Sequence, residues 1–201
     1  MLLRKNQVIL FQGDSITDCG RLHVGDGFGC GYVYICNAII KNKYPKLNLN
    51  VINKGISGNT IIDLKNRWEV DCLVLKPSLL TILIGINDCF RGISDEDYEN
   101  IYEELLEITL SKGTKNIVLM EPFLLPIDSA QQKVLPAVEA KCRIVKRLSE
   151  KFNTLYIPLN KIFQKLLKKA SANYWTYDGI HPTPQGHYLI SESWLTTCKF
   201  L

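Results

Sequence analysis

A chain of 201 residues with 46% hydrophobic and 22% charged side chains has the composition of an ordinary globular protein and implies one domain over residues 1–201. At that length roughly 70% of the surface of the unfolded chain becomes buried, so neither disulfides nor a metal is needed to hold the fold. The 24 Lys and Arg against 20 Asp and Glu leave a net charge of +4. The charges are interspersed and form no basic stripe, which argues against nucleic acid as a partner.

Seven cysteines, an odd number with no C-x-x-C pair, point to reduced thiols in the cytoplasm rather than to a disulfide framework or a zinc site. The N-terminal residues lack the apolar core of a signal peptide. No run approaches the ~18 apolar residues of a membrane span. The densest basic stretch, Lys141, Arg143, Lys146, Arg147 and Lys151, alternates with apolar residues at helical spacing and reads as a solvated helix face.

In chain order, a short apolar run at residues 7–11 reads as the first buried strand, and Gly13-Asp14-Ser15-Ile16-Thr17-Asp18 follows it. Gly25, Gly27, Gly29 and Gly31 do not stand in the strand–turn–helix setting of a dinucleotide fingerprint. They read as a flexible loop near Ser15. The second strand, residues 49–52, leads into Asn53-Lys54-Gly55-Ile56-Ser57-Gly58-Asn59, and the third, residues 79–84, into Gly85-Ile86-Asn87-Asp88. Tyr98, Ile101, Leu105 and Ile108 share one face of a helix, ahead of a fourth strand at residues 116–120. Val138, Cys142, Val145 and Phe152 mark another helix and residues 154–157 a fifth strand. Leu159, Ile162, Phe163, Leu166 and Leu167 form a third apolar stripe. Asp178-Gly179-Ile180-His181-Pro182 precedes a last helix over Pro184–Thr197, with proline near its first turn. No internal repeat or linker interrupts the series.

Strands alternating with helices imply right-handed crossovers and a parallel sheet covered on both faces, whose ligand site lies beyond the carboxyl ends of the strands. That rule gathers the four polar segments on one rim, where they contain the parts acyl transfer needs. Ser15 leaves a buried strand through a tight turn that Gly13 permits, and is the candidate nucleophile. His181, poised near neutral pH, is the base that takes its proton. Asp178, three residues earlier, can fix the imidazole tautomer. The backbone N–H groups of Ser15 and Gly58 and the side-chain amide of Asn87 are the candidate oxyanion donors. Asp14 and Asp88 read as scaffold carboxylates that bond local N–H groups. Asp14 stands also, with Phe90, Arg91 and Trp175, as a candidate substrate contact. His23 and His187 read as structural.

These blocks identify a resemblance to the SGNH, or GDSL-type, serine hydrolases, named for the Ser, Gly, Asn and His of four sequence blocks. Here the blocks carry Ser15, Gly58, Asn87, and Asp178 with His181. The G-x-S-x-G elbow of α/β-hydrolases is absent. The resemblance implies a three-layer α/β/α, flavodoxin-like fold with a five-stranded parallel sheet. Phe11 to Asp18, Asn53 to Thr60, Asp63-Leu64-Lys65 with Arg67-Trp68, and Ile84 to Asp88 resemble a bacterial subgroup that includes intracellular acetylxylan esterases. Two positions depart from that subgroup: the stretch after Arg91 is shorter, and Phe90 stands in place of tryptophan. The resemblance implies a serine esterase that removes short acyl groups, above all acetyl, from xylo-oligosaccharides through an acyl-enzyme. It implies a homo-oligomer as well, with no cofactor and no metal. A lysophospholipase, thioesterase or arylesterase on the same machinery is the alternative. A non-catalytic carbohydrate- or nucleotide-binding module is the alternative from another class.

Overall fold

The computed structural model describes residues 4–200. Its five strands are β1 (Val8–Gly13), β2 (Asn50–Gly55), β3 (Leu79–Leu83), β4 (Ile117–Met120) and β5 (Leu155–Ile157), ordered β2-β1-β3-β4-β5. Every neighbouring pair is parallel, with Phe11 opposite Asn53 on one side and Thr81 on the other. All five expected strands are present with ends shifted by one to three residues. β1 and β2 run on to Gly13 and Gly55 because their polar last residues are held by bonds from below the sheet, which apolar periodicity does not register.

Alternation of side chains across the pleat sends Ile9, Phe11, Leu79 and Leu83 to one face and Leu10, Leu80 and Ile82 to the other. The first face is covered by α2 (Tyr32–Lys43) and α9 (Pro184–Thr197), and its centre is aromatic. Trp194 lies against Phe11 and stacks on Phe200, and its indole N–H donates to the Thr81 hydroxyl at 2.8 Å. The second face is covered by α3 (Ile61–Asn66) and α5 (Asp95–Ser111), with a single π-type turn at Glu69–Leu73 after α3. The result is the expected α/β/α layering. Among the described residues no helix is long and apolar enough to cross a membrane.

α6 (Ser129–Lys151) begins well before the apolar stripe at Val138. Asp128 caps its first turn and Pro136 interrupts the second, while Val134 and Leu135 pack only partly buried against the core ahead of Val138. Val138 and Cys142 enter one core and Ile144, Val145 and Leu148 the other. The basic stretch on this helix is not uniformly solvated. Lys141 is 1% exposed, and its ammonium donates to the Ile93 carbonyl (2.9 Å) and the Asp95 carboxylate (2.6 Å) beside the Tyr98 ring. Arg147 and Lys151 pair with Glu99 and Glu103 of α5. Three short helices complete the frame near the rim: α1 (Ser15–Asp18), α4 (Ile86–Phe90) and α8 (Ala172–Trp175). α7 (Leu159–Leu166) follows β5.

Candidate active site

α1 starts abruptly at the end of β1, and glycine is what lets it. A Cβ on Gly13 would run into the Leu83 carbonyl and the Thr17 hydroxyl; one on Gly55 would strike the backbone of Thr17 and Asp18. With both positions bare, the first turn of α1 packs onto the ends of β1, β2 and β3 and lifts Ser15 onto the rim. Asp14 caps the turn, its carboxylate accepting from the Ile16 N–H at 3.0 Å. Asp14 is 1% exposed, so the expectation of a direct substrate contact there is corrected. Its burial pushes the carboxyl up to about 7, against the Ile16 bond and reinforced by nearby Asp88. Asp88 is buried as well and accepts from the Ile61 N–H at 2.9 Å, a scaffold contact of the kind expected.

Ser15 Oγ lies 2.9 Å from His181 Nε2, and His181 Nδ1 lies 2.6 Å from Asp178 Oδ2. The other Asp178 oxygen accepts the backbone N–H groups of Ile180 (3.0 Å) and His181 (2.8 Å). Burial pushes the Asp178 carboxyl upward, but these backbone bonds and the imidazole outweigh it and hold the group below its ordinary value. Asp178 is thus an anion, a fixed acceptor for Nδ1–H, and the free electron pair of the ring is left on Nε2, facing Ser15. The loop that carries the pair is clamped at its base, where Thr176 and Pro182 form an antiparallel bridge and Tyr177 N–H bonds to the His181 carbonyl (2.8 Å). Gln131 of α6 donates to the Asp178 carbonyl at 2.7 Å, and the Leu125 N–H bonds to the Gly179 carbonyl. No feature of the Asp-His segment pointed to Gln131.

Gly58 has φ +81°, and among the described residues neither its N–H nor that of Ser15 meets a protein acceptor. Asn87 Nδ2 spends one hydrogen on the Asn59 carbonyl (3.0 Å) and keeps the other free. The guanidinium of Arg91 holds the Gly58 carbonyl at 2.9 Å and approaches Asp63 Oδ2 at 3.7 Å. Arg91, the candidate substrate contact, thus grips the Gly58 turn and faces a carboxylate as well. Phe90 stands beside it, 45% exposed.

Trp175 is half-buried and faces a groove of about 530 Å³ lined also by Tyr174, Gln185, Tyr188 and Glu192. Ser15, Asp178 and His181 are not among the residues that line it. His187 is 5% exposed and accepts the Tyr32 N–H on Nδ1 at 3.1 Å, the structural position expected of it. Burial lowers it to about 4.

A further residue holds the rim from beneath. Arg67 donates to the carbonyls of Gly13 (3.1 Å) and Lys54 (2.8 Å), to the side chains of Gln12 (2.9 Å) and Asn59 (2.8 Å), and to Asp71 (3.1 Å). It ties the end of β1, the end of β2 and the Gly58 turn to one planar group. Sequence carried a signal for it only as part of the Arg67-Trp68 block, without a role.

A hydroxyl, an imidazole and a carboxylate in one hydrogen-bonded line, at the carboxyl rim of a parallel sheet, are the parts of a serine hydrolase, and the relatives make the class a carboxylic ester hydrolase. Residues 11–189 match the GDSL-like Lipase/Acylhydrolase family, and the chain belongs to that family. It is 34% identical, over 214 aligned positions covering 100% of this chain and 97% of the relative, to an acetylxylan esterase of Geobacillus stearothermophilus. A solved mutant of an acetyl-xylooligosaccharide esterase from the same organism superposes with a TM-score of 0.92 at 33% identity, covering 100% of this chain and 98% of that one. A putative GDSL-like lipase from Parabacteroides merdae does so with a TM-score of 0.92 at 36% identity, covering 100% and 99%.

Proposed function

We propose that the protein is a single-domain acetylesterase acting on acetylated xylo-oligosaccharides, with Ser15 as nucleophile, His181 as general base and acid, and Asp178 as the orienter of His181. The observation that carries the reading is the relay of 2.9 Å and 2.6 Å between these three side chains. Full-length similarity to esterases of that substrate class supports the choice of ester. Solved structures of catalytic mutants of the Geobacillus stearothermophilus enzyme, with a serine, an aspartate and a histidine each replaced by alanine, support the choice of residues.

Ser15 Oγ attacks the acetyl carbonyl carbon while its proton passes to His181 Nε2. The new oxyanion is met by the N–H groups of Ser15 and Gly58 and by the free hydrogen of Asn87 Nδ2; one such donor contributes ~3 kcal/mol in the transition state. As the tetrahedral adduct collapses, His181 returns the proton to the sugar oxygen, and the sugar leaves. Water, deprotonated by His181, then attacks the acetyl-serine and releases acetate. Asp178 remains an anion throughout. Exposed Phe90 and Arg91, next to Asn87, are where the bound sugar would meet the protein. The same reading holds the enzyme to be cytoplasmic, where its seven unpaired cysteines stay reduced, and, from the subgroup it resembles, a homo-oligomer.

The test compares wild type with Ser15→Ala on acetyl, butyryl and octanoyl p-nitrophenyl esters and on acetylated xylo-oligosaccharide. Acetyl-selective hydrolysis that disappears in the variant is the expected result. Preference for the octanoyl ester would overturn the acetyl reading in favour of a lipid or thioester substrate. Full activity in Ser15→Ala would remove the serine mechanism.

A further inference from the structure

We propose that Cys19 and Cys30 form an oxidation site, a thiol pair that closes to a disulfide with peroxide and staples the glycine-rich loop to the foot of the nucleophile helix. Cys19 is the C-terminal cap of α1, four residues after Ser15, and its N–H bonds to the Ser15 carbonyl at 2.9 Å. Cys30 comes at the far end of the loop. Its N–H donates to the Cys19 carbonyl at 3.0 Å, and the two sulfurs lie 3.4 Å apart. A direct backbone bond between the two residues already sets their Cα atoms near the ~4.4–6.8 Å that disulfides span. Closing the sulfurs to a bond of about 2.05 Å is then a matter of side-chain rotation rather than chain movement. Glycine keeps the approach close: a Cβ on Gly29 would meet the Cys19 carbonyl, and one on Gly31 would meet Cys19 Cβ and His187.

The two thiols differ in the way a sensing and a resolving thiol differ. Cys30 is exposed and meets a solute oxidant first, whereas Cys19 is half-buried and its burial, together with the Cys30 thiol, raises it to about 12. The Cys30 thiolate attacks a peroxide oxygen; the O–O bond breaks, leaving a sulfenic acid on Cys30 and a hydroxide that takes up the proton Cys30 released, as one water. Cys19 sulfur then attacks Cys30 sulfur; the S–O bond breaks, and the departing hydroxide takes the Cys19 proton as a second water. Two thiols have lost two electrons, and one peroxide has become two waters. His187 assists the second step. Because its Nδ1 accepts from Tyr32, the neutral ring carries its hydrogen on Nε2, which lies 3.4 Å from Cys19 Sγ and steadies the developing thiolate. The other five cysteines are buried or half-buried, and no other thiol–thiol hydrogen bond joins described residues.

The loop so closed carries Arg21, which donates to the Gly55 carbonyl, and Phe28, whose carbonyl accepts from Asn53. The staple therefore fastens the margin of the rim rather than a free tail. The experiment is peroxide treatment of the reduced full-length protein, alkylation of the remaining thiols, and peptide mapping without reductant. Trypsin cuts at Arg21 between the two cysteines, so a bond between them leaves two peptides linked, and fragmentation separates Cys30 from Cys36. The expected result is a Cys19–Cys30 link that dithiothreitol reverses, with a Tm about 5–10 °C above that of the reduced protein. Cys30→Ser and Cys19→Ser each abolish the link and the shift, and Cys30→Ser keeps the esterase activity of the reduced enzyme. Alkylation of both thiols after peroxide, over-oxidation of Cys30 without a link, or a Tm shift that survives in Cys30→Ser would each overturn the proposal.

Discussion

The two oxygens of Asp178 do different work, and substitution can separate them. Oδ1 fixes the loop through two backbone N–H groups, while Oδ2 fixes the imidazole. In Asp178→Asn the carbonyl oxygen can keep the backbone bonds only if the amide NH2 turns toward His181. The ring must then present a free Nδ1 and place its hydrogen on Nε2, where Ser15 needs an acceptor. We expect kcat to fall by roughly 10³–10⁴-fold with KM and Tm little changed. A loss of less than tenfold in steady-state assays would mean that tautomer control is not the role of Asp178. Arg91 acts one step further out, through the Gly58 carbonyl it holds. Arg91→Ala frees the turn that aims the Gly58 N–H, and kcat should drop by roughly tenfold, about 1.4 kcal/mol in the transition state. Arg91→Lys should recover part of the loss, since a single donor can still reach the carbonyl. A change confined to KM would mean that Arg91 acts on the bound sugar alone and does not aim the Gly58 turn.

At the scale of elements, the charges that hold the frame are the ones that sequence patterning misplaces. Lys141 sits at helical spacing with Arg143, Lys146, Arg147 and Lys151, yet it alone turns inward. The segment after α4 comes back to meet it with the Ile93 carbonyl and Asp95. Lys141→Met keeps the stem packed against Tyr98 but leaves the Ile93 carbonyl without its donor, and should cost about 1–3 kcal/mol in urea unfolding. Arg143→Met, on the exposed side of the same helix, should stay within about 0.5 kcal/mol. Equal effects would show that the buried ammonium contributes nothing of its own. The strands, by contrast, were legible because a parallel sheet buried on both faces demands apolar runs: β3 and β4 are unbroken ones, and β1, β2 and β5 carry a shorter apolar core. The triad was legible because its members follow strand ends or a tight turn in short polar blocks. α2 and the Glu69–Leu73 turn were not: α2 is apolar nearly all round, so no single stripe stands out, and the turn buries only the adjacent Cys72 and Leu73. Arg67 was not legible as a hub either. Its five partners come from three separate segments, and only the fold puts Gly13, Lys54 and Asn59 around one guanidinium.

Over the whole molecule, buried titratable groups set how stability follows pH, and their signs oppose: burial raises Asp14, Asp88 and Glu121 and lowers His187. Burial raises Asp14 to about 7 and Asp88 to about 6, so between roughly pH 4 and those values the folded state keeps protons that the unfolded chain has released. Their contribution is complete below the ordinary carboxylate range and is lost as pH rises through 6 and 7. Burial lowers His187 to about 4 from its ordinary 6.5. Between those values the unfolded chain binds the extra proton, and stability rises with pH. From about pH 4 to 6 the raised carboxyls therefore outweigh the imidazole and stability falls with pH; from 6 to 6.5 Asp14 and His187 offset one another, and Asp14 alone resumes the fall to about 7. Asp178, Asp63 and Asp71, all held low by their bonds, act only on the acid side of this window. Asp14→Asn keeps a capping oxygen for the Ile16 N–H and removes the group that titrates. Its unfolding free energy should fall less steeply than that of wild type from pH 4 to 6, as Asp88 and His187 cancel. It should gain on wild type steadily from pH 5 to 7 and hold a constant lead above pH 8. Parallel wild-type and variant profiles in denaturant titrations across that range would show that Asp14 is already ionised in the folded protein.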